Sequence, residues 1–357
     1  MERCSLCILP RNYSAVEFGP GGVCSLCRDR DAAARTEAAE RERLRAELER
    51  IVERLREGPG DYQCIVPISG GLDSTYVAYV IRRRFGLRAL GVNFDNGYRT
   101  PLALENIERL SRSLEMDVVT LGLHPGLWRR MFAHHFRQCG YFCKVCNAVG
   151  HILVGSFAAR EARRRGTASV VFGGWSRKYE YQPGLSVLSM SAFGRVLGRD
   201  PGLFRELRGN PLVEPSVMDA LLEADDVRRA AGDNAEGRAV DRAGFSLFHL
   251  PNAMDWNYSE IVPTLEREVG WRRRERGHEA HFDCVLAPVQ EYLKHRKFGF
   301  SQETIKNSVL VREGRMSREE ALRRQDLEQT DEPAVLQQVL AEWGMGREEV
   351  PWDADWQ

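Results

Sequence analysis

The hexapeptide Ser69-Gly70-Gly71-Leu72-Asp73-Ser74 follows directly on the apolar run Cys64-Ile65-Val66-Pro67-Ile68. This predicts a buried strand over 63–68, a Gly-rich turn and a helix over 75–84. A strand that enters a helix through such a turn is a phosphate cradle. Glycines let the backbone approach an anion, and the helix start offers unpaired N–H groups with a partial positive charge. A Ser-Gly-Gly alone also serves ordinary turns; the strand before it and the helix after it make the signal specific. The loop lacks the Gly-Lys-Ser ending of a Walker motif. Ser69, Gly70, Gly71, Leu72, Asp73 and Ser74 are therefore candidate nucleotide-binding residues of an α/β protein.

The loop resembles the pyrophosphate loop (PP-loop) of the ATP pyrophosphatases, which split ATP into AMP and pyrophosphate while adenylating a substrate. That resemblance implies ATP as cosubstrate. Asp73 would repel phosphate directly, so its expected role is to hold Mg²⁺ against the phosphates.

The remaining chain fits an α/β reading. Further strands are predicted over 89–94, 118–121 and 169–172, with helices over 102–114 and 147–164. The alternation argues for a parallel, doubly wound sheet, whose ligands sit beyond the carboxyl ends of the strands. Two more segments fall at such ends. One is Asn93-Phe94-Asp95-Asn96-Gly97, which in the pyrophosphatases lies by the adenosine. The other is Gly173-Gly174-Trp175-Ser176-Arg177-Lys178. Asp95, Asn96, Gly173 and Gly174 are candidate nucleotide contacts. Asp73, Ser74, Arg177 and Lys178 are the candidate catalytic residues, the two cations offsetting phosphate charge. The plainer alternatives are a turn at Asp95-Asn96-Gly97 and a solvated surface at Arg177 and Lys178.

The chain has 357 residues, 51 basic and 51 acidic. This balance argues against a globally basic nucleic-acid binder. It contains no run of about 18 apolar residues and no signal-peptide core at its start, so no membrane partner and a cytoplasmic location are expected. Nine cysteines in that compartment read as metal ligands or reactive thiols before disulfides.

Cys4-x-x-Cys7 and Cys24-x-x-Cys27 form two pairs in one short segment, the spacing of a Zn²⁺ ribbon. An iron–sulfur centre or a redox pair is the alternative. Cys143-Lys144-Val145-Cys146 is a third pair, expected just before a helix, with Cys284 as its distant partner. Three thiols leave one position open, which suits a [4Fe–4S] cluster with one exchangeable iron or a catalytic zinc. Cys139 is a fourth candidate ligand or a spare, and Cys64 a core residue. The domain reading is a zinc ribbon over 1–30 and a connecting helix over 31–60. A PP-loop domain follows over 61–300 with an irregular insertion near 184–245, then a helical region over 301–357. Ser317-Arg318-Glu319-Glu320 reads as a capping box.

Over nearly its whole length the chain resembles the N-acetyl sugar amidotransferase family of PP-loop ATP pyrophosphatases, which serve surface-polysaccharide and pseudaminic-type sugars. The resemblance rests on the four N-terminal cysteines, the segment from Ile65 to Tyr76, Cys143-Lys144-Val145-Cys146 and His281-Phe282-Asp283-Cys284. It also rests on Tyr292-Leu293-Lys294-His295-Arg296-Lys297-Phe298-Gly299-Phe300 and on the stretch from Arg312 to Glu320. It implies adenylation of an acetamido oxygen on a sugar or nucleotide-sugar. Ammonia from a separate glutaminase would then give an amidine, and a homodimer is allowed. The cysteine trio is also similar to that of iron–sulfur enzymes that thiolate tRNA, where sulfur replaces ammonia after the same adenylation. A third reading is a non-catalytic, nucleotide-binding zinc adaptor; the intact Asp73 weighs against it.

Overall fold

The computed structural model describes residues 2–13, 16–58, 60–166, 169–173, 190–223, 245–273, 283–325 and 331–352. Five strands form one sheet: β1 (Cys64–Pro67), β2 (Ala89–Asp95), β3 (Val118–Gly122), β4 (Ser169–Phe172) and β5 (Ser246–His249). Their order is β3-β2-β1-β4-β5, with every neighbouring pair parallel. The register sets Cys64 beside Ala89, Gly91 beside Val118 and Ile65 beside Val170.

Parallel neighbours require long crossovers, and helices supply them. Helices Leu72–Tyr79 and Pro101–Leu114 follow β1 and β2, and their buried residues share one apolar core with Cys64 and Val66. Helices Pro125–Cys139 and Cys143–Arg165 lead from β3 to β4 and enclose a second core containing Ile65, Val92 and Val170. Successive β1 residues thus enter opposite cores, because side chains alternate across a strand. Two-sided burial explains why the β1 sequence is continuously apolar rather than alternating. The crossovers change faces between β1 and β4, opening the crevice where doubly wound sheets bind ligands.

The four anticipated strands lie within a residue or two of their expected bounds. The connecting helix is Arg30–Arg56; Leu48, Val52 and Leu55 bury against the first core, as its apolar stripe predicts. The helix after β1 begins at Leu72, earlier than expected, and widens into a π turn over Val80–Arg84. The insertion is not irregular in its described part. It forms helices Met190–Gly198, Pro201–Arg208 and Pro215–Glu223, whose apolar faces join the second core. Helix Pro125–Cys139 and β5 are further elements that were not anticipated. No helix among the described residues is long and apolar enough to cross a membrane.

The C-terminal region holds helices Ala287–Phe298, Gln302–Arg312, Arg318–Gln325 and Ala334–Glu342. Ser317 Oγ accepts from the Glu320 N–H at 3.0 Å, the cap its sequence announces. This region meets the N-terminus. Phe300 and Ile305 form a small core with Cys4, Cys7, Leu9, Tyr13 and Cys24, and Asn12 Nδ2 donates to the Phe298 carbonyl at 2.8 Å.

Candidate active site and metal centre

Loop 69–74 sits at the carboxyl end of β1, beside the switch between β1 and β4. Gly70 has φ +78°, and a Cβ there would lie 2.2 Å from the Ala103 carbonyl oxygen. Only glycine fits that turn against the start of helix Pro101–Leu114. The Gly70 carbonyl accepts from Trp271 Nε1 at 3.1 Å and from Asn106 Nδ2 at 3.3 Å. Within the loop, the Ser69 N–H donates to Ser74 Oγ at 3.1 Å and the Gly71 N–H to Ser69 Oγ at 3.2 Å. Thr75 Oγ1 donates to the Gly71 carbonyl at 2.7 Å. The loop is held from both sides, with two hydroxyls and the helix start converging on it.

Asp73 Oδ1 accepts from Trp256 Nε1 at 2.9 Å. Burial pushes its carboxyl above the ordinary range. The Trp256 bond, the Lys306 ammonium and a Tyr258 hydrogen bond pull it back, while Asp283 adds repulsion. Asp283 is the second acid of the site: its Oδ2 lies 3.5 Å from where a Gly71 Cβ would stand. It accepts from Arg99 Nη1 at 3.1 Å, and Arg99 also covers the Phe94 ring with its guanidinium carbon 5.1 Å from the centroid. Two carboxylates and two hydroxyls at one loop are hard oxygen donors of the kind Mg²⁺ selects.

The other strand-end residues divide. Asp95 Oδ1 accepts from the Gly97 N–H at 2.8 Å, and Asn96 Oδ1 from the Tyr98 N–H at 2.9 Å, so Asp95-Asn96-Gly97 is a turn. Asn96 has a second role: its Nδ2 donates to Cys146 Sγ at 3.0 Å. Gly173 packs against the loop backbone. A Cβ there would lie 2.8 Å from the Asp73 carbonyl oxygen, so this glycine allows close approach of β4's end to helix Leu72–Tyr79. Gly174, Arg177 and Lys178 lie outside the described residues, as do His281 and Phe282.

Cys143 and Cys146 are in the first turn of helix Cys143–Arg165, not before it. Three residues apart, they share one helix face; the Cys143 side chain lies outside the described residues. Cys284 comes to the same place through an antiparallel bridge between Arg99 and Cys284. Burial, then Cys146 and Asp283, push the Cys284 thiol up to about 12. Burial likewise raises Cys146, with Arg99 and Asn96 opposing. Protonated thiols convert to thiolates when a metal takes them, and Arg99 and Asn96 favour that form. Cys139 is apart from this pair, buried against His135 with Sγ and Nδ1 3.1 Å apart. Cys64 is fully buried in β1, the core residue expected.

The four N-terminal thiols converge. Cys4, Cys7, Cys24 and Cys27 offer Sγ atoms all within 4.8 Å of one another. Cys4–Cys27 and Cys7–Cys24 are 3.7 and 3.8 Å apart. Tetrahedral thiolates at a metal–sulfur distance of about 2.3 Å stand about 3.8 Å apart, so the donor set fits a tetrahedral metal. Cys7 is driven far down, to about 2, first by hydrogen bonds from Cys24 and Cys27 and finally by Arg312. Arg312 Nη1 lies 3.6 Å from Cys7 Sγ, and Arg318 Nε donates to the Cys7 carbonyl at 3.1 Å.

The parallel doubly wound sheet with this loop at its switch strand resembles the PP-loop, adenine nucleotide alpha hydrolase-like α/β fold. Residues 276–351 match the family model described as "LPS biosynthesis protein WbpG-like, C-terminal domain". That matched segment follows the sheet in the chain. An uncharacterized protein of Methanocaldococcus jannaschii is 32% identical over 80 residues, 22% of this chain and 29% of that relative. The match thus spans under a third of the curated relative. Among solved structures, the NH3-dependent NAD synthetase of Campylobacter jejuni aligns with a TM-score of 0.30 and 12% identity, covering 58% of this chain and 93% of its own. The U34-tRNA thiolase NcsA of Methanococcus maripaludis, solved with its [4Fe-4S] cluster, aligns with a TM-score of 0.31 and 8% identity, covering 92% and 89%.

Proposed function

We propose that this chain is an ATP-using enzyme that adenylates the acetamido oxygen of a sugar or nucleotide-sugar and completes an amidine with ammonia. The observation that carries the reading is the Ser-Gly-Gly-Leu-Asp-Ser loop at the switch strand, with Gly70 in the left-handed region and two carboxylates beside it. The acceptor class is supported by the WbpG-like segment, whose family is described by LPS biosynthesis.

In this reading the loop N–H groups and the Ser69 and Ser74 hydroxyls grip the β- and γ-phosphates. The acetamido oxygen attacks the α-phosphorus; the bond to the bridging oxygen breaks and pyrophosphate leaves. Ammonia then adds to the imidate carbon, the carbon–oxygen bond breaks, AMP departs with that oxygen, and a proton is lost to leave the amidine. A Mg²⁺ ion held by Asp73 and Asp283 would supply charge neutralisation at the phosphates. At the N-terminus, Cys4, Cys7, Cys24 and Cys27 would hold Zn²⁺ as a closed structural site. A separate glutaminase is the proposed ammonia source.

A second reading is sulfur insertion. It is favoured by one observation, that Cys146 and Cys284 converge beside the loop through Asn96 and the Arg99 bridge. With Cys143 they would hold a [4Fe–4S] cluster, which when bound would supply an exchangeable iron for a sulfur atom. Anaerobic purification followed by incubation with ATP, an N-acetylated nucleotide-sugar and either ammonia or sulfide separates the two. The amidotransferase reading expects AMP, pyrophosphate and a product about one mass unit lighter than the acetamido sugar; ADP as the main nucleotide product sinks both readings. About four irons and a product carrying sulfur in place of oxygen would replace the first reading with the second.

A further inference from the structure

Two cysteines outside the N-terminal centre are hydrogen-bonded in opposite senses. Cys139 Sγ donates to the His135 and Tyr141 carbonyls at 3.0 and 3.2 Å, as a protonated thiol does. Cys146 Sγ instead accepts, from Asn96 Nδ2 at 3.0 Å. The other end of the Asn96 amide fixes this direction. Its Oδ1 accepts from the Tyr98 N–H at 2.9 Å, and a backbone N–H donates only to the amide oxygen, so the NH2 group is turned to the sulfur. Asn96 is 1% exposed, so the bond lies out of water.

A thiol sulfur is a weak acceptor, and a charged or metal-bound one is stronger. The four-cysteine centre shows the same type of bond. There the Cys7, Leu9 and Cys24 N–H groups donate to the sulfurs of Cys4 and Cys7 at 3.3 to 3.5 Å. The Asn96 bond is shorter than each of these. The segment that bears Asn96 also holds the second cysteine. The Val285 N–H donates to the Tyr98 carbonyl at 2.9 Å and the Thr100 N–H to the Asp283 carbonyl at 3.3 Å, with Arg99 and Cys284 paired between them. Residues 96–100 thus grip Cys146 by a side chain and Cys284 by backbone.

We propose that Asn96 is a positioning residue of the Cys146–Cys284 centre: its amide N–H holds the Cys146 sulfur as an acceptor and stabilises negative charge on it. The inference rests on the iron–sulfur reading above and deepens it. An N–H aimed at a ligating sulfur favours the reduced, more negative state of a cluster and so raises its reduction potential.

Full-length wild-type protein, N96D and N96L are reconstituted anaerobically with Fe²⁺ and sulfide, and the potential is read by EPR-monitored redox titration. N96D keeps an oxygen for the Tyr98 N–H and removes the donor to sulfur; N96L removes both. Each variant should shift the oxidised-to-reduced ratio about 3- to 10-fold toward the oxidised form, a tenfold shift being about 59 mV for one electron. Potentials equal to wild type in both variants overturn the role of Asn96 while leaving the iron–sulfur reading intact. A shift in N96L alone assigns Asn96 to the turn and overturns the proposal as well. Wild-type protein that takes up no cluster overturns the iron–sulfur reading, and this inference with it. Should N96L fail to fold, N96D decides by itself.

Discussion

Trp256 Nε1 donates to Asp73 Oδ1 at 2.9 Å, across 183 residues of chain. Burial pushes the carboxyl up, and the indole bond opposes that shift. Nothing in either local sequence announces the pair.

Asp73→Asn keeps the shape of this arrangement and removes its charge. Turnover with ATP should fall by about 100-fold or more, through kcat rather than through KM for the acceptor. Trp256→Phe removes only the orienting bond and should cost less, about 10-fold. Pyrophosphate release assays on both variants check the order; equal rates for Asp73→Asn and wild type would remove Asp73 from the chemistry.

Gly70→Ala tests the loop's geometry. Its φ of +78° and the 2.2 Å approach to the Ala103 carbonyl should together destabilise the fold by roughly 3 kcal/mol or more. Gly86 is the control: its φ is +65° but nothing lies within 4 Å of an added Cβ. Gly86→Ala should cost only about 1 kcal/mol. Urea denaturation of the two variants gives the comparison, and similar losses would mean that the close contact does not matter.

Metal removal should act at both chain ends. Wild-type protein should carry about one zinc per chain at the four N-terminal cysteines, and Cys24→Ser should lose it. Because Arg312 and Arg318 dock on Cys7 and Cys4, the helices that bear them should lose protection in hydrogen exchange along with the ribbon. Unchanged exchange over 302–325 in the zinc-free variant would argue that the contact is incidental.

His135 predicts a pH window. It is buried, its Nδ1 is 2.6 Å from the Tyr141 carbonyl oxygen, and burial lowers its pKa from 6.5 to about 4. The unfolded chain therefore binds the extra proton first on acidification. The stability of the neutral ring is fully present above pH 6.5 and is lost progressively as pH falls toward about 4, by roughly 3 kcal/mol in all. Unfolding free energies of wild type and His135→Gln at several pH values test this. The variant should lack that part of the acid sensitivity, and parallel curves would refute the assignment.

The α/β class, four of the strands, the glycine turn after β1 and the N-terminal cysteine cluster were legible in the chain because each is written in contiguous residues. Cys64-Ile65-Val66-Pro67 is apolar because both faces of β1 are covered, and Gly70 is glycine because its turn admits nothing else. The cysteine pairs carry their own spacing. The helices of the 190–223 segment also had a signal that sequence reading passed over. Met190, Phe193 and Leu197 recur at helical intervals and bury together, behind a surface rich in Gly, Arg and Asp.

The partners of the loop were not legible. Trp256 and Asp283 reach it from segments about 180 to 210 positions downstream, and a side chain's burial and its neighbours are properties of the folded chain. Asp95 and Asn96 show the same limit in reverse. Their sequence fits a strand-end ligand site and a turn equally, and the Asp95–Gly97 bond makes the turn while the Cys146 contact turns Asn96 toward the cysteines. The sequence by itself determined which backbone shapes and which metal donors this protein has. Only the tertiary structure decided which distant side chains meet at loop 69–74, because apolar packing on both faces of the sheet brings those segments together whatever their separation along the chain.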